Sequence, residues 1–157
     1  MDTIPPLQVG DILLYNTKWS FVDWAIRART WSDVAHIEIS LGNGTSVASR
    51  NGIGVGKFLH RKEGLVKIRR LVLPLDFGAA MSWFNTVDKT NYGWTDLFRF
   101  YGINVSTKGI ICSTFADLWL KNGGVQSFAE DYPSEIVSPR DFETTTVAKT
   151  IYGDISK

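Results

Sequence analysis

The stretch Val34-Ala35-His36-Ile37-Glu38-Ile39-Ser40-Leu41 alternates apolar Ile37, Ile39 and Leu41 with polar His36, Glu38 and Ser40, and Gly42-Asn43-Gly44 follows it directly. Period-two alternation marks a strand with two unlike faces, and a Gly-Asn-Gly run supplies the positive φ angles that a tight reversal needs. Thr45-Ser46-Val47-Ala48-Ser49 then reads as the return strand. This hairpin commits the first half of the chain to antiparallel pairing, and the other elements arrange themselves around it.

Val9-Gly10-Asp11-Ile12-Leu13-Leu14-Tyr15 reads as a turn leading into a short buried strand, and Leu65 to Leu73 alternates again until Pro74 closes it. A glycine-punctuated segment, Asn51 to Gly56, lies between the hairpin and that strand. Helical patterns run over Trp19 to Arg29, Phe77 to Val87, Trp94 to Tyr101 and Ile111 to Asn122, the last stopped at Gly123-Gly124. The tail from Val125 onward holds turn signals and room for one short strand. Strands grouped apart from helices predict an α+β fold, not a parallel wound sheet. A chain of 157 residues with 44% hydrophobic content is enough for one sizeable core, so a single domain over 1–157 is expected.

Several function classes fall away on composition. Seventeen lysines and arginines nearly balance sixteen aspartates and glutamates, so no global field draws nucleic acid or an anionic membrane. The densest basic stretch, Lys57 to Arg70, is interrupted by Glu63 and apolar residues and reads as a solvated strand-and-loop face. One cysteine rules out an intramolecular disulfide and the multi-cysteine zinc patterns, and two histidines leave little for a metal site; none is expected, nor any cofactor. Met1 to Pro6 lacks a basic start with an apolar run, and no stretch approaches the roughly 20 apolar residues of a spanning helix. Cytoplasmic synthesis without export is the expectation. The 13% aromatic share, with six tryptophans, points to an aromatic core or to a groove for something flat or greasy.

The one cysteine, Cys112, stands where Gly109-Ile110-Ile111 meets the last helix. The first amides of a helix point unpaired N–H groups outward and carry roughly half a positive charge, which favours a thiolate there. A lone cysteine is otherwise a small buried residue. A nucleophilic thiol needs a base that accepts its proton and later returns it, usually histidine. His60 lies in a charged stretch and reads as surface, which leaves His36 on the polar face of the best strand.

With these residues in place the chain resembles the NlpC-type papain-like hydrolases in their circularly permuted form, which include the YiiX-like proteins and the lecithin retinol acyltransferase-like enzymes. Gly10-Asp11-Ile12-Leu13-Leu14 matches the first strand of that group, and Ser32 to Gly44 looks like its His-bearing hairpin. Gly54-Val55 with Val66 to Arg70 looks like the strands that follow. Asn91-Tyr92-Gly93-Trp94 resembles the aromatic stretch before the nucleophile, and Cys112-Ser113-Thr114-Phe115 the helix start that bears it. Histidine before cysteine in chain order is the mark of the permuted form.

The resemblance implies a small antiparallel sheet or half-barrel packed against a helical cluster, and a thiol hydrolase working through an acyl-enzyme. Cys112 would be the nucleophile and His36 the general base and then acid, with the Cys112 backbone N–H and Ser113 on the oxyanion side. Tyr92 would donate a phenolic hydrogen bond or line the groove, unless it is a core tyrosine. The group places a polar third residue on the return strand, and here that position is Ala48, which cannot orient an imidazole. If Gly42-Asn43-Gly44 forms a three-residue loop, Glu38 lies across from Ala48 on the same face as His36 and takes over that role. Ser49 and Asn51 are the alternatives if the loop length differs by one residue. The expected substrate is a peptide, such as a cell-wall fragment, or an acyl-amide. Acyl transfer, thioester or lipid ester cleavage, and a non-catalytic binding module on the same scaffold are the competing readings. The expected origin is bacterial or a virus of bacteria, and the oligomeric state is left open.

Overall fold

The computed structural model describes residues 3–16, 33–91 and 111–153. The helices expected over Trp19–Arg29 and Trp94–Tyr101, and Tyr92, lie outside the described residues. The described part is α+β. Six strands, β1 (Val9–Tyr15), β2 (His36–Leu41), β3 (Thr45–Arg50), β4 (Gly54–Leu59), β5 (Leu65–Leu71) and β6 (Ala148–Tyr152), form one sheet in the order β4-β3-β2-β1-β5-β6. Every neighbouring pair is antiparallel. Two longer helices, α1 (Phe77–Val87) and α2 (Cys112–Asn122), precede a 3-10 turn at Ser134–Ile136 and the short α3 (Asp141–Thr144).

The β2–β3 hairpin has the three-residue loop that its glycines suggest, because Ile39 pairs with Val47 and Ser40 with Ser46. Gly42 and Gly44 both take positive φ, +76° and +82°, which side chains rarely adopt. Polar side chains fix the reversal: Ser40 Oγ accepts from the Gly42 amide at 3.0 Å, and Asn43 Oδ1 from the Thr45 amide at 3.2 Å. This loop length sets the register, and carrying it along the strands puts Ala48 opposite Glu38 and Arg50 opposite His36.

The glycine-punctuated segment divides at Gly54 into a turn and strand β4. Gly54 has φ +95°, and a Cβ there would lie 2.3 Å from the Thr90 carbonyl oxygen. That close approach lets the Val55 amide donate to Thr90 O at 2.8 Å and the Lys89 amide to Val55 O at 3.0 Å, tying the exit of α1 to β4.

The sheet packs α1 and α2 against one face. Ile12, Leu14, Ile37, Ile39 and Val47 from the strands meet Phe84, Phe115, Trp119 and Leu120 from the helices in the main apolar core. Asp76 caps α1 by accepting from the Ala79 amide at 2.9 Å, and its own amide donates to Gly123 O at 2.9 Å, so the start of α1 is fastened to the end of α2. The opposite face carries a smaller cluster, Leu13, Tyr15 and Ile68, joined by Ile4, Leu7 and residues of β5 and β6.

The basic stretch departs from the expected solvated face. Arg69 is buried and donates to the carbonyls of Glu143, Thr145 and Ala148, satisfying acceptors between the end of α3 and the start of β6. Arg70 grips Asp11 with two bonds of 2.8 Å, and Lys67 pairs with Glu143 at 3.0 Å. These cations join β1, β5 and the C-terminal segment. Among the described residues no helix is long and apolar enough to cross a membrane.

Candidate active site

Cys112 is the first residue of α2 and is buried. Ile111 before it is extended, and among the described residues no side chain caps the helix, whose first backbone bond runs from the Phe115 amide to Ile111 O at 2.9 Å. What holds the helix is its polar flank. Ser113 Oγ donates to Val137 O at 2.6 Å, Thr114 Oγ1 to Ser134 O at 3.1 Å, and Ser134 Oγ to Asp117 Oδ2 at 2.5 Å, with Lys121 on the same carboxylate at 3.0 Å. Successive side chains of one helix face thus bolt α2 to the 134–137 segment, and Cys112 moves only if they do. The Ser113 hydroxyl is engaged in this fastening, with its hydrogen directed at a backbone carbonyl.

His36, the first residue of β2, lies beside the Cys112 side chain, and its Nε2 makes a hydrogen bond with Glu38 Oε1 at 3.1 Å. The Glu38 bond fixes the orientation of the ring from its Nε2 side. Tyr15 stands across from it on β1, its ring 6.0 Å from the imidazole centroid and tilted by 44°. The Tyr15 hydroxyl donates to Arg61 O at 3.3 Å, and burial foremost pushes its pKa well above that of an ordinary tyrosine, so it stays neutral.

Glu38 is fully buried on the same face. Its Oε2 accepts from Ser46 Oγ at 2.5 Å, one strand away. Its Oε1 accepts from Arg50 Nε at 2.9 Å and Arg61 Nη2 at 3.2 Å in addition to His36. Burial by itself would raise a carboxyl, but the His36 bond and charge, the Ser46 hydroxyl and Arg50 together hold Glu38 down at about 2. The mirror image holds for His36. Burial would lower an imidazole, and the interactions with Cys112 and Glu38 and their charges override it, raising His36 to about 9. His36, beside Cys112 and bonded to Glu38, therefore keeps its proton through neutral pH.

The other sequence-derived candidates fall elsewhere. Ser49 is one residue out of phase with Ser46 and Arg50, on the helix-packed side where it pairs with Val55. Asn51 lies in the turn beyond β3, and Ala48 is buried opposite Glu38 without polar function. Arg50, Arg61 and Ser46 went unnoticed in the sequence. The register alone could have flagged Arg50 and Ser46, since both share the β3 face that looks toward Glu38, whereas nothing local announces Arg61. Among the described residues no group of three or more His, Cys, Asp or Glu is placed to hold a metal ion. No protein-family model matches the chain, and no curated protein matches it.

Proposed function

We propose that this protein is a cysteine hydrolase that cleaves an amide bond through an acyl-enzyme. The observation that carries the reading is the buried cluster Cys112–His36–Glu38: a thiol at a helix start, beside an imidazole whose Nε2 rests on a carboxylate oxygen 3.1 Å away. A structural cysteine has no need of such a partner, and a structural histidine none of a carboxylate held by three further donors.

The chemistry follows from the order of the groups. With the proton on His36, Cys112 Sγ attacks the substrate carbonyl carbon, and the carbonyl oxygen takes up the negative charge near the backbone N–H groups that open α2. The tetrahedral adduct collapses as the C–N bond breaks, and His36 gives its proton to the departing amine. Water then enters, His36 takes one of its protons, and the hydroxide adds to the thioester carbon. Collapse of this second adduct releases the carboxylic acid and the Cys112 thiolate, with His36 again carrying its proton. Glu38 stabilises the imidazolium and fixes the ring without itself exchanging a proton. A non-catalytic module was suggested by Ala48, which cannot serve as the third group; Glu38 in that place supports the catalytic reading instead.

The test is thiol reactivity followed by turnover. Alkylation by iodoacetamide at pH 7 is expected to outpace that of a free thiol, to vanish in Cys112→Ser, and to slow about 100-fold or more in His36→Ala. A panel of peptide anilides and acyl thioesters then reads the preferred bond. Alkylation no faster than that of glutathione, with no turnover of either class, overturns the proposal.

A further inference from the structure

A single carboxylate oxygen of Glu38 is shared by three cationic donors. His36 reaches Oε1 at 3.1 Å, Arg50 with Nε at 2.9 Å and Nη2 at 2.8 Å, and Arg61 with Nη2 at 3.2 Å. The two arginines are fixed independently of it. Arg50 comes from β3, and its guanidinium lies 3.9 Å over the Phe58 ring; Arg61 comes from the β4–β5 loop, stacks 5.3 Å over Tyr15 and accepts the Tyr15 hydroxyl at its carbonyl. Among the described residues, the charged and titratable groups around His36 are thus Tyr15 from β1, Glu38 from its own strand, Arg50 from β3, Arg61 from the loop and Cys112 from α2.

A buried carboxylate facing one imidazolium alone would hold the proton so firmly that His36 could not pass it on. Guanidinium groups do not give up their protons. Placed on the same oxygen, they draw on its charge and repel the imidazolium beside it. We infer that Arg50 and Arg61 are positioning residues that clamp Glu38 against His36 and at the same time loosen its grip on the imidazole proton, so that His36 can release that proton to a leaving group. This rests on the hydrolytic reading of the Cys112–His36 pair.

The test follows the His36 ring by NMR through a pH titration of the full chain labelled with 15N-histidine, with His60→Gln separating the second signal. Arg50→Gln is expected to move the His36 midpoint to higher pH by about half to one unit, because one repelling charge has gone and Glu38 has one competitor fewer. Arg61→Gln is expected to move it the same way by less, since this side chain is 40% exposed and screened. Arg50→Lys, which keeps the charge, is expected to return the midpoint close to that of the wild type. A merely structural arginine would lower the melting temperature and leave the midpoint where it was. An unmoved or lowered midpoint in folded Arg50→Gln overturns the inference, and if that variant does not fold, Arg61→Gln decides on the same criterion. The two readings fail separately: fast alkylation with unmoved midpoints sinks only the tuning role, whereas slow alkylation in the wild type sinks the hydrolase.

Discussion

The two faces of β2 are equally dry and are stabilised by opposite means. On one, Ile37 and Ile39 are fully buried among Leu14, Val47, Phe115 and Trp119, with no polar requirement to meet. On the other, Glu38 and Ser40 are fully buried and His36 nearly so, yet this face carries ions. Desolvating a carboxylate costs several kcal/mol unless partners compensate, and Glu38 has four of them. The apolar face needs only volume and shape to be stable. The polar face needs every donor in place, and that demand gives His36 a fixed orientation toward Cys112.

Deletions should separate the two kinds of stability, the largest first. Phe115→Ala, at the centre of the helix-packed core, should cost about 3–5 kcal/mol in denaturant unfolding, through lost contacts and the cavity left behind. Glu38→Ala should cost about 3 kcal/mol, because it strands Arg50, Ser46 and His36 without their shared acceptor. A loss under 1 kcal/mol there would mean that water replaces the carboxylate and that the face is not dry. Ser46→Ala, which removes one donor and leaves the cations in place, should cost about 1 kcal/mol.

The pH dependence of stability sharpens the contrast further. His36 is raised from 6.5 to about 9 in the folded state, so its contribution is complete below pH 6.5 and is lost as pH rises through about 9. Glu38 is lowered from 4.5 to about 2, so its contribution is complete above pH 4.5 and is lost as pH falls through about 2. Melting temperatures across this range should therefore peak between about 4.5 and 6.5 and decline on both sides. Phe115→Ala should lower this curve without changing its shape, and Glu38→Gln should flatten its acid limb and weaken its alkaline one. Parallel curves for both variants would break the assignment of the limbs to this pair.

Much of the scaffold around the pair is legible in the sequence because it is local. The alternation of β2, the glycines of its turn and the helix from Cys112 to the Gly123 stop each rest on neighbours within a few residues. The loop length even carried Glu38 to its place opposite Ala48, since register follows from turn geometry. The basic stretch shows where that reasoning ends. Arg69 and Arg70 sit on alternate faces of one strand, and their acceptors, the carbonyls of 143–148 and the carboxylate of Asp11, lie more than fifty residues away in either direction. A charge pattern reveals that a strand has two faces, but not what will cover each of them.

The amino-acid sequence by itself determined the hairpin, its register and the thiol at a helix start, because backbone sterics and side-chain period act over short range. Only the tertiary structure decided that the polar face of β2 is interior, that Ser46, Arg50 and Arg61 converge on one carboxylate, and that Cys112 meets His36. Those contacts depend on the packing of α2 and of the β4–β5 loop against β2, and such packing is set by the shape of the whole core and by no single segment.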